Sequence, residues 1–240
     1  MTHHRRIIIG DIQGCREELE RLLALVRFDP AQDQVISVGD IINRGPDSLG
    51  ACRVLRSIGA LAVRGNHENH FLYSLLTHAS RPTDTFGDVL KAPERDELVA
   101  WIQSLPYVIV QDDLAVVHAG IPPRVTQLQA FAAKINDAGR PDVLNERPFV
   151  VTVRYCDPSG RRPAIDYPPP PPPFRPWDEL YRGDRLICFG HWARRGLVIG
   201  ARAKGLDSGC VYGGKLSAYL PEEDRVVQVP ARKAYYAKSE

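Results

Sequence analysis

Little in this sequence marks a membrane protein, a secreted scaffold or a dedicated nucleic-acid binder. Its 240 residues contain no run of roughly 18 apolar residues, so nothing reads as a membrane span. The opening "MTHHRRIIIGD" has too short an apolar stretch for a signal peptide. Cysteine is sparse, at positions 15, 52, 156, 188 and 210. An odd count without a CxxC pair argues against a disulfide framework or a thiolate zinc site and fits a reducing cytosol. Charge of either sign is not in excess: 31 Lys and Arg against 29 Asp and Glu leave a formal +2, short of the basic excess of a nucleic-acid binder. No internal repeat or interdomain linker is visible. What is present is ordinary globular composition, 44% hydrophobic and 25% charged, in a chain long enough for a sizeable core. A single soluble, cytoplasmic domain over residues 1–240 is expected.

The first half alternates short apolar runs with helical patterns. "RIIIG", "QVISVGD" and "ALAVRGN" read as buried strands ending in glycine. Leu19, Leu22, Leu23 and Val26 follow the i, i+3, i+4, i+7 spacing of a helix face. A second helix is expected from an N-cap at Asp47 or Ser48 to near Gly59, and a third after Asn66, carrying Phe71, Leu72, Leu75 and Leu76. That βαβαβ order implies parallel strands with right-handed crossovers. From Tyr107 onward, "YVIVQDDLAVVHAG" reads as a hairpin turning at Asp112–Asp113. "RLICFGHW", "LVIGARAKGLD", "KLSAYLP" and "RVVQVP" read as further, mostly antiparallel strands. The fold class is α/β, with mixed sheets packed together and helices outside.

One segment stands apart. "YPPPPPPFRPW", Tyr167 to Trp177, has six consecutive prolines and favours a polyproline II rod of about 19 Å at ~3.1 Å per residue. It reads as a loop or spacer, as a wall of a substrate cleft, or as a docking ligand for a proline-binding module; its position before "RLICFGHW" favours the wall.

Polar residues gather where these strands end. Asp11 and Gln13 follow the first, Asp40 the second, and Asn66 and His67 the third; His118 ends "VVHAG" and His191 ends "CFGHW". In α/β sheets that edge binds ligands. A single "GD" or a single strand-end histidine is most simply a turn or a capping group, but five such blocks in one chain resist that explanation. Two carboxylates (Asp11, Asp40), two amides (Gln13, Asn66) and two imidazoles (His118, His191) are too many donors for one tetrahedral zinc. They suit two metals roughly 3.5–4 Å apart, bridged by one carboxylate. The oxygen-rich mixture favours Mn²⁺, Mg²⁺ or Fe²⁺.

The ordered set "GDIQG", "GDIINRG", "GNHE", "HAG" and "GHW" resembles the calcineurin-like metallophosphoesterases of the phosphoprotein-phosphatase-like superfamily. Within it, "GDIQGC", "RGPDSL", "HAGIPP", "FGHWA" and "LDSGCVYGG" look most like the symmetrical diadenosine tetraphosphatases, over Ile7 to about Lys233. The resemblance implies a four-layer sandwich of two mixed sheets flanked by helices, with a dinuclear site on the strand-end loops. It implies that Asp11, Gln13 and Asp40 hold the first metal, and that Asp40 bridges to a second held by Asn66, His118 and His191. Mn²⁺ is the expected ion, with Mg²⁺, Co²⁺ or Fe²⁺ as alternatives. Most of the superfamily has histidine where this chain has Gln13; the glutamine reads as a mark of the tetraphosphatase branch and implies a looser first metal.

By the same resemblance, Arg44 clamps phosphate, as its guanidinium fork can, and His67 protonates the leaving oxygen. Many relatives place an aspartate at the position of Asn43 to orient that histidine. The uncharged Asn43 makes His67 a stronger acid and favours a leaving nucleoside diphosphate over a serine alkoxide. Arg154 is the candidate second phosphate ligand, with Arg161, Arg162, Arg194 and Arg195 adding positive field. Trp177, Trp192, Tyr212 and Tyr155 are candidates to stack on a base. Cys210 reads as a small buried residue rather than a nucleophile. Residues 127–177 are expected to form a variable, arginine-bearing cover over the substrate. The expected reaction is symmetrical hydrolysis of a dinucleoside polyphosphate into two nucleoside diphosphates by a metal-activated hydroxide. Alternatives are a serine/threonine or tyrosine phosphoprotein phosphatase, a hydrolase of nucleotide-capped RNA ends, and a non-enzymatic scaffold recruiting a partner through Pro168–Pro173.

Overall fold

The computed structural model describes residues 5–137 and 147–237. In chain order it runs β1 (Arg5–Ile9), α1 (Arg16–Leu25), β2 (Asp33–Ser37), α2 (Ser48–Ser57), β3 (Leu61–Ala62) and α3 (Asn66–Thr77). Then follow α4 (Gly87–Lys91), α5 (Arg95–Ser104), β4 (Val108–Val110), β5 (Leu114–Val117), α6 (Leu128–Asn136) and α7 (Arg147–Thr152). The rest is β6 (Tyr155–Cys156), β7 (Arg175–Pro176), α8 (Trp177–Leu180), β8 (Leu186–Phe189), β9 (Val198–Ile199), β10 (Ala203–Gly205), β11 (Lys215–Leu220) and β12 (Arg225–Pro230).

These strands build two five-stranded mixed sheets, ordered β12-β11-β1-β2-β3 and β4-β5-β8-β10-β9, with β6 and β7 as a small ribbon. The alternation of side chains along a strand explains how they stack. Ile8 of β1 and Ile36 of β2 meet Leu114 and Val116 of β5 and Cys188 of β8 in a core between the sheets. Ile7 and Ile9 point the other way, into a core with Leu19 and Leu22 of α1, Leu55 of α2 and Phe71 of α3. On the far side, Ala115, Val117, Ile187 and Phe189 pack on Phe131 and Ile135 of α6 and Val150 of α7. The Ile7–Ile9 run is apolar on both faces because it is covered on both, each fully buried isoleucine contributing about 1.5–3 kcal/mol.

The expected parallel β1-β2-β3 arrangement is present, as is the β4-β5 hairpin. Antiparallel pairing also holds for β9-β10, β11-β12 and β1-β11. It does not hold for β8, which lies parallel to both β5 and β10. A long crossover through α6 and α7 separates β5 from β8, and long crossovers return a strand in the same direction. The second helix starts as expected, with Asp47 accepting the Gly50 N–H at 2.7 Å. In α3 the buried side is His67, Glu68, Phe71 and Ser74, which leaves Leu76 81% exposed rather than on the packed face. Within the expected cover, residues 138–146 lie outside the described residues.

Parallel strands deliver loops to one edge. Asp11 and Gln13 follow β1, Asp40 to Arg44 follow β2, Asn66 and His67 open α3 after β3, and His118, His191 and Asp207 follow β5, β8 and β10. The backbone there is unusual. Gln13, Asp40, Asn43, Arg44 and His191 all have positive φ, between 47° and 76°. Left-handed conformations at non-glycine residues cost of order 1–3 kcal/mol each and persist only where the surroundings enforce them.

Candidate active site

Asp40 is the hub. Its carboxylate is 2% exposed, accepts the His67 N–H at 2.9 Å, and lies 3.4 Å from His118 Nε2 and 3.6 Å from His67 Nε2. Asp11, Asp40 and His118 bring ligand atoms within 4.8 Å of one another. Both oxygens of Asp11 face the backbone N–H of His191 at 3.1 Å. Gly190 allows this approach, since a Cβ there would stand 1.9 Å from Asp11 Oδ1.

The two imidazoles are oriented from behind. His118 Nδ1 donates to the Val38 carbonyl at 2.9 Å, and His191 Nε2 to the Thr152 carbonyl at 3.2 Å. Each backbone carbonyl fixes the tautomer and leaves the other ring nitrogen as a lone pair. Those lone pairs, His118 Nε2 and His191 Nδ1, face Asn66 Oδ1 at 3.0 and 2.7 Å. Three acceptors so disposed fit a cation held among them.

The carboxylates make the same case. Burial, with Asp207 and Asp40 nearby, pushes the Asp11 carboxyl well above the usual range. Burial raises Asp40 to about 7 and also lifts Asp207. Buried carboxylates in such proximity stay ionised when divalent cations neutralise them, so the donor set fits the metal chemistry expected of it.

Gln13 differs in detail from expectation. Its amide nitrogen, not its oxygen, turns inward, hydrogen-bonding Asp40 and standing 3.4 Å from His67 Nε2. Beside a carboxylate an amide presents its N–H side; ligation would require the reverse orientation.

The centre forms the floor of a cavity of about 610 Å³. Gln13, Asp40, Arg44, Asn66, His67 and His191 line it near the hub, and Arg154, Trp192 and Tyr212 line it further out. Asp11 and His118 sit beneath, 3% and 0% exposed. Arg44 hydrogen-bonds the Tyr212 hydroxyl, and its guanidinium lies 5.5 Å from the ring centres of both Tyr212 and Tyr236. Arg154 pairs with Asp166 at 3.0 Å. Arg194 lies 3.9 Å from the Tyr167 ring centre, and Tyr155 meets Trp192 edge-on at 4.8 Å. Tyr167 and Pro169 also line the cavity, so the start of the proline segment forms part of its wall. Arg161 instead pairs with Asp157, and Arg162 with the Thr152 hydroxyl.

Two candidates are placed elsewhere. Trp177 is 0% exposed and packs on Phe189 at 5.0 Å in the core behind the second sheet, beneath Gly120, where a Cβ would meet its ring at 2.6 Å. It is a core residue and does not reach a base: the chain enters α8 with this side chain turned inward. Asn43 is buried and engaged away from His67. Its oxygen accepts the Thr85 and Arg44 N–H groups, and its amide nitrogen donates to Asp84 at 3.2 Å. His67 Nδ1 is buried without a hydrogen-bond partner among the described residues.

Sequence reasoning passed over two buried carboxylates. Asp207 is 4% exposed, lines the cavity and hydrogen-bonds Asp11; like Asp11, it follows a strand end closely. Glu68, quoted only as part of "GNHE", accepts the backbone N–H groups of Gly65, Asp40, Ile41 and Ile42 at 2.8 to 3.3 Å. It stitches the loop after β2 to the start of α3.

A protein of Methylococcus capsulatus named "Bis(5'-nucleosyl)-tetraphosphatase, symmetrical" is 38% identical, with 88% of this chain and 89% of that protein covered. A protein of the same name from Aromatoleum aromaticum is 37% identical over 94% and 96% of the two chains. A crystal structure assigned provisionally as a diadenosine tetraphosphatase superposes with a TM-score of 0.77 at 32% identity, covering 96% of this chain and 95% of that one. The calcineurin-like phosphoesterase profile matches residues 4–195, and the chain belongs to that family.

Proposed function

We propose that this chain is a metal-dependent hydrolase that cuts dinucleoside polyphosphates symmetrically, converting diadenosine tetraphosphate into two molecules of ADP. The observation that carries the reading is the cavity. It runs from the buried Asp40–Asn66–His191 floor to a rim with Arg44, Arg154 and Arg194, so reacting and distant phosphates of one chain both find cationic partners, while Arg195 at the same rim is paired with Asp178. Relatives at 37–38% identity that bear the symmetrical tetraphosphatase name support the substrate class.

Asp11, Gln13 and Asp40 would hold one divalent ion, and Asp40, Asn66, His118 and His191 a second. The oxygen-rich donors favour Mn²⁺, with Mg²⁺, Co²⁺ or Fe²⁺ as alternatives. Bound there, the ions would supply an activated water and neutralise phosphate charge.

The protein's own part is positioning and electrostatics. Arg44, held by Tyr212, offers a two-pronged grip on phosphate oxygens that developing charge in the transition state strengthens. Arg154 and Arg194 hold the remaining phosphates, and Trp192 and Tyr155 give an aromatic surface to a base. His67 is held well below the ordinary imidazole range by burial and by Arg44. Around neutral pH it is therefore the neutral imidazole, and a nucleoside diphosphate, a weakly basic leaving group, suits a site that offers it no ready proton.

Hydrolysis of diadenosine tetraphosphate in ¹⁸O-enriched water with Mn²⁺ tests the proposal. ADP as sole product, half of it labelled on its terminal phosphate, is expected; AMP with ATP would refute the symmetrical cut.

A further inference from the structure

Three buried side chains converge near the catalytic floor, and the hydrolytic reaction has no use for them. The sulfurs of Cys15 and Cys210 and a carboxylate oxygen of Glu18 lie within 4.8 Å of one another, and the residues are 0%, 2% and 0% exposed. Cys15 ends the loop that carries Asp11 and Gln13, and stands at the N-cap of α1 without a side-chain capping bond. Glu18 sits in the first turn of the same helix. Cys210 belongs to the loop after β10 that carries Asp207.

Glu18 is only half accounted for by protein partners. Oε1 accepts the Arg232 N–H at 3.0 Å and the Tyr235 hydroxyl at 2.9 Å. Oε2 is buried without a partner among the described residues. A buried carboxylate oxygen left unmatched is costly, and a cation satisfies it.

We propose that Cys15, Glu18 and Cys210 form a binding site for one thiophilic divalent cation of the zinc class, distinct from the dinuclear centre. The spacing is suitable: zinc ligands at ~2.0 Å for oxygen and ~2.3 Å for sulfur stand roughly 3.3–3.8 Å apart around a tetrahedron, inside the 4.8 Å bound that the three donors meet. The neighbouring Cys210, burial and nearby Glu18 keep the Cys15 thiol protonated in the ion-free protein, so the cation itself would draw off the proton. Each thiol releases its proton to solvent as its sulfur–metal bond forms.

An approach from solvent exists. A surface cavity of about 590 Å³ reaches Glu18 and is lined by Glu17, Glu20 and Asp47. Of its three cations, Arg16 pairs with Glu20 and Asp47, Arg232 pairs with Glu17, and Lys233 lies over the Tyr235 ring. Donor chemistry separates the two sites: soft sulfur selects zinc-class ions, while the oxygen and nitrogen donors around Asp40 suit Mn²⁺ or Mg²⁺. A cation here would tie the Asp11–Gln13 loop to the Asp207 loop.

The test uses the full-length protein, stripped of metal and then given excess Mn²⁺ to fill the dinuclear centre. Titration with Co²⁺ should raise a near-ultraviolet sulfur-to-cobalt charge-transfer band that saturates at one equivalent and vanishes on adding Zn²⁺. The band should be lost in Cys15→Ser and in Cys210→Ser, and kept in Asp11→Asn. Zinc-edge X-ray absorption of the unmutated protein, needing no variant to fold, should show two sulfur neighbours at about 2.3 Å. Zinc surrounded only by nitrogen and oxygen, or a cobalt band surviving in Cys210→Ser, would overturn the proposal.

Discussion

The Glu68 carboxylate accepts the backbone N–H of Asp40 at 2.9 Å, so the residue at the centre of the site is held by an acid from a different element. The same carboxylate binds three more N–H groups, of Ile41, Ile42 and Gly65. Replacing Glu68 by Gln turns an amide N–H₂ toward backbone donors. With charged hydrogen bonds at about 1.5–3 kcal/mol each and some relaxation, Glu68→Gln should lose about 3 kcal/mol. A lowered urea midpoint and weaker Mn²⁺ retention are expected; an unchanged midpoint would show that the clamp is dispensable.

Chelation should expose the carboxylate repulsion, with a definite sign. Asp40 sits at about 7 without a cation, above its unfolded value, so the folded ion-free protein binds more protons than the unfolded chain between about pH 4 and 7. Stability of the chelated protein should therefore fall as pH rises through that window. Mn²⁺ affinity should run the opposite way, weakening about tenfold per unit below pH 7 as protons compete for Asp40. Urea midpoints of chelated protein at pH 5.5 and 8, with calorimetric Mn²⁺ titrations at both, measure the two slopes.

Arg44 is positioned by Tyr212 and flanked by Tyr236. Arg44→Ala should lower kcat/KM for diadenosine tetraphosphate about 10²–10³-fold, the usual cost of removing an oriented transition-state donor. Arg44→Lys should recover only part of this, because an ammonium cannot reproduce the fork. Steady-state kinetics checks both, with circular dichroism confirming that the fold is retained.

An aspartate at position 43 would meet the Asp84 carboxylate, which now accepts a hydrogen bond from the Asn43 amide at 3.2 Å. Asn43→Asp should therefore destabilise by about 1–3 kcal/mol. Adding Asp84→Asn should restore much of that loss. A double-mutant cycle on denaturant midpoints measures the coupling, and additive effects would refute it.

Trp177 belongs to the packing account. Trp177→Ala should cost about 3–5 kcal/mol, the usual range for emptying a buried indole site. Trp192→Ala, at the cavity, should instead act mainly by raising KM. Thermal midpoints and steady-state constants for the pair separate the roles.

The clustering of Asp11, Asp40, Asn66, His118 and His191 was legible because each stands just beyond an apolar run, so local pattern and chemistry coincide there. Asp207 follows β10 in the same manner, but Leu206 stands between it and the strand-ending glycine and blurs the cue. Side-chain direction was the weaker inference. Trp177 lies at the end of the proline segment, yet nothing in that neighbourhood tells whether its ring turns to the cavity or to Phe189. The direction of β8 depends on how a long crossover returns, which strand composition does not encode. Cys15 and Cys210 lack CxxC spacing because they are brought together by tertiary folding of two separate loops.

The ion pair between Arg154 and Asp166 has a consequence for how anions enter. Arg154 already grips a tethered carboxylate, so an arriving phosphate takes part in an exchange rather than filling an idle socket. On the proposed reading, a polyphosphate that also reaches Arg44 and Arg194 would compete for Arg154 better than an anion touching Arg154 alone.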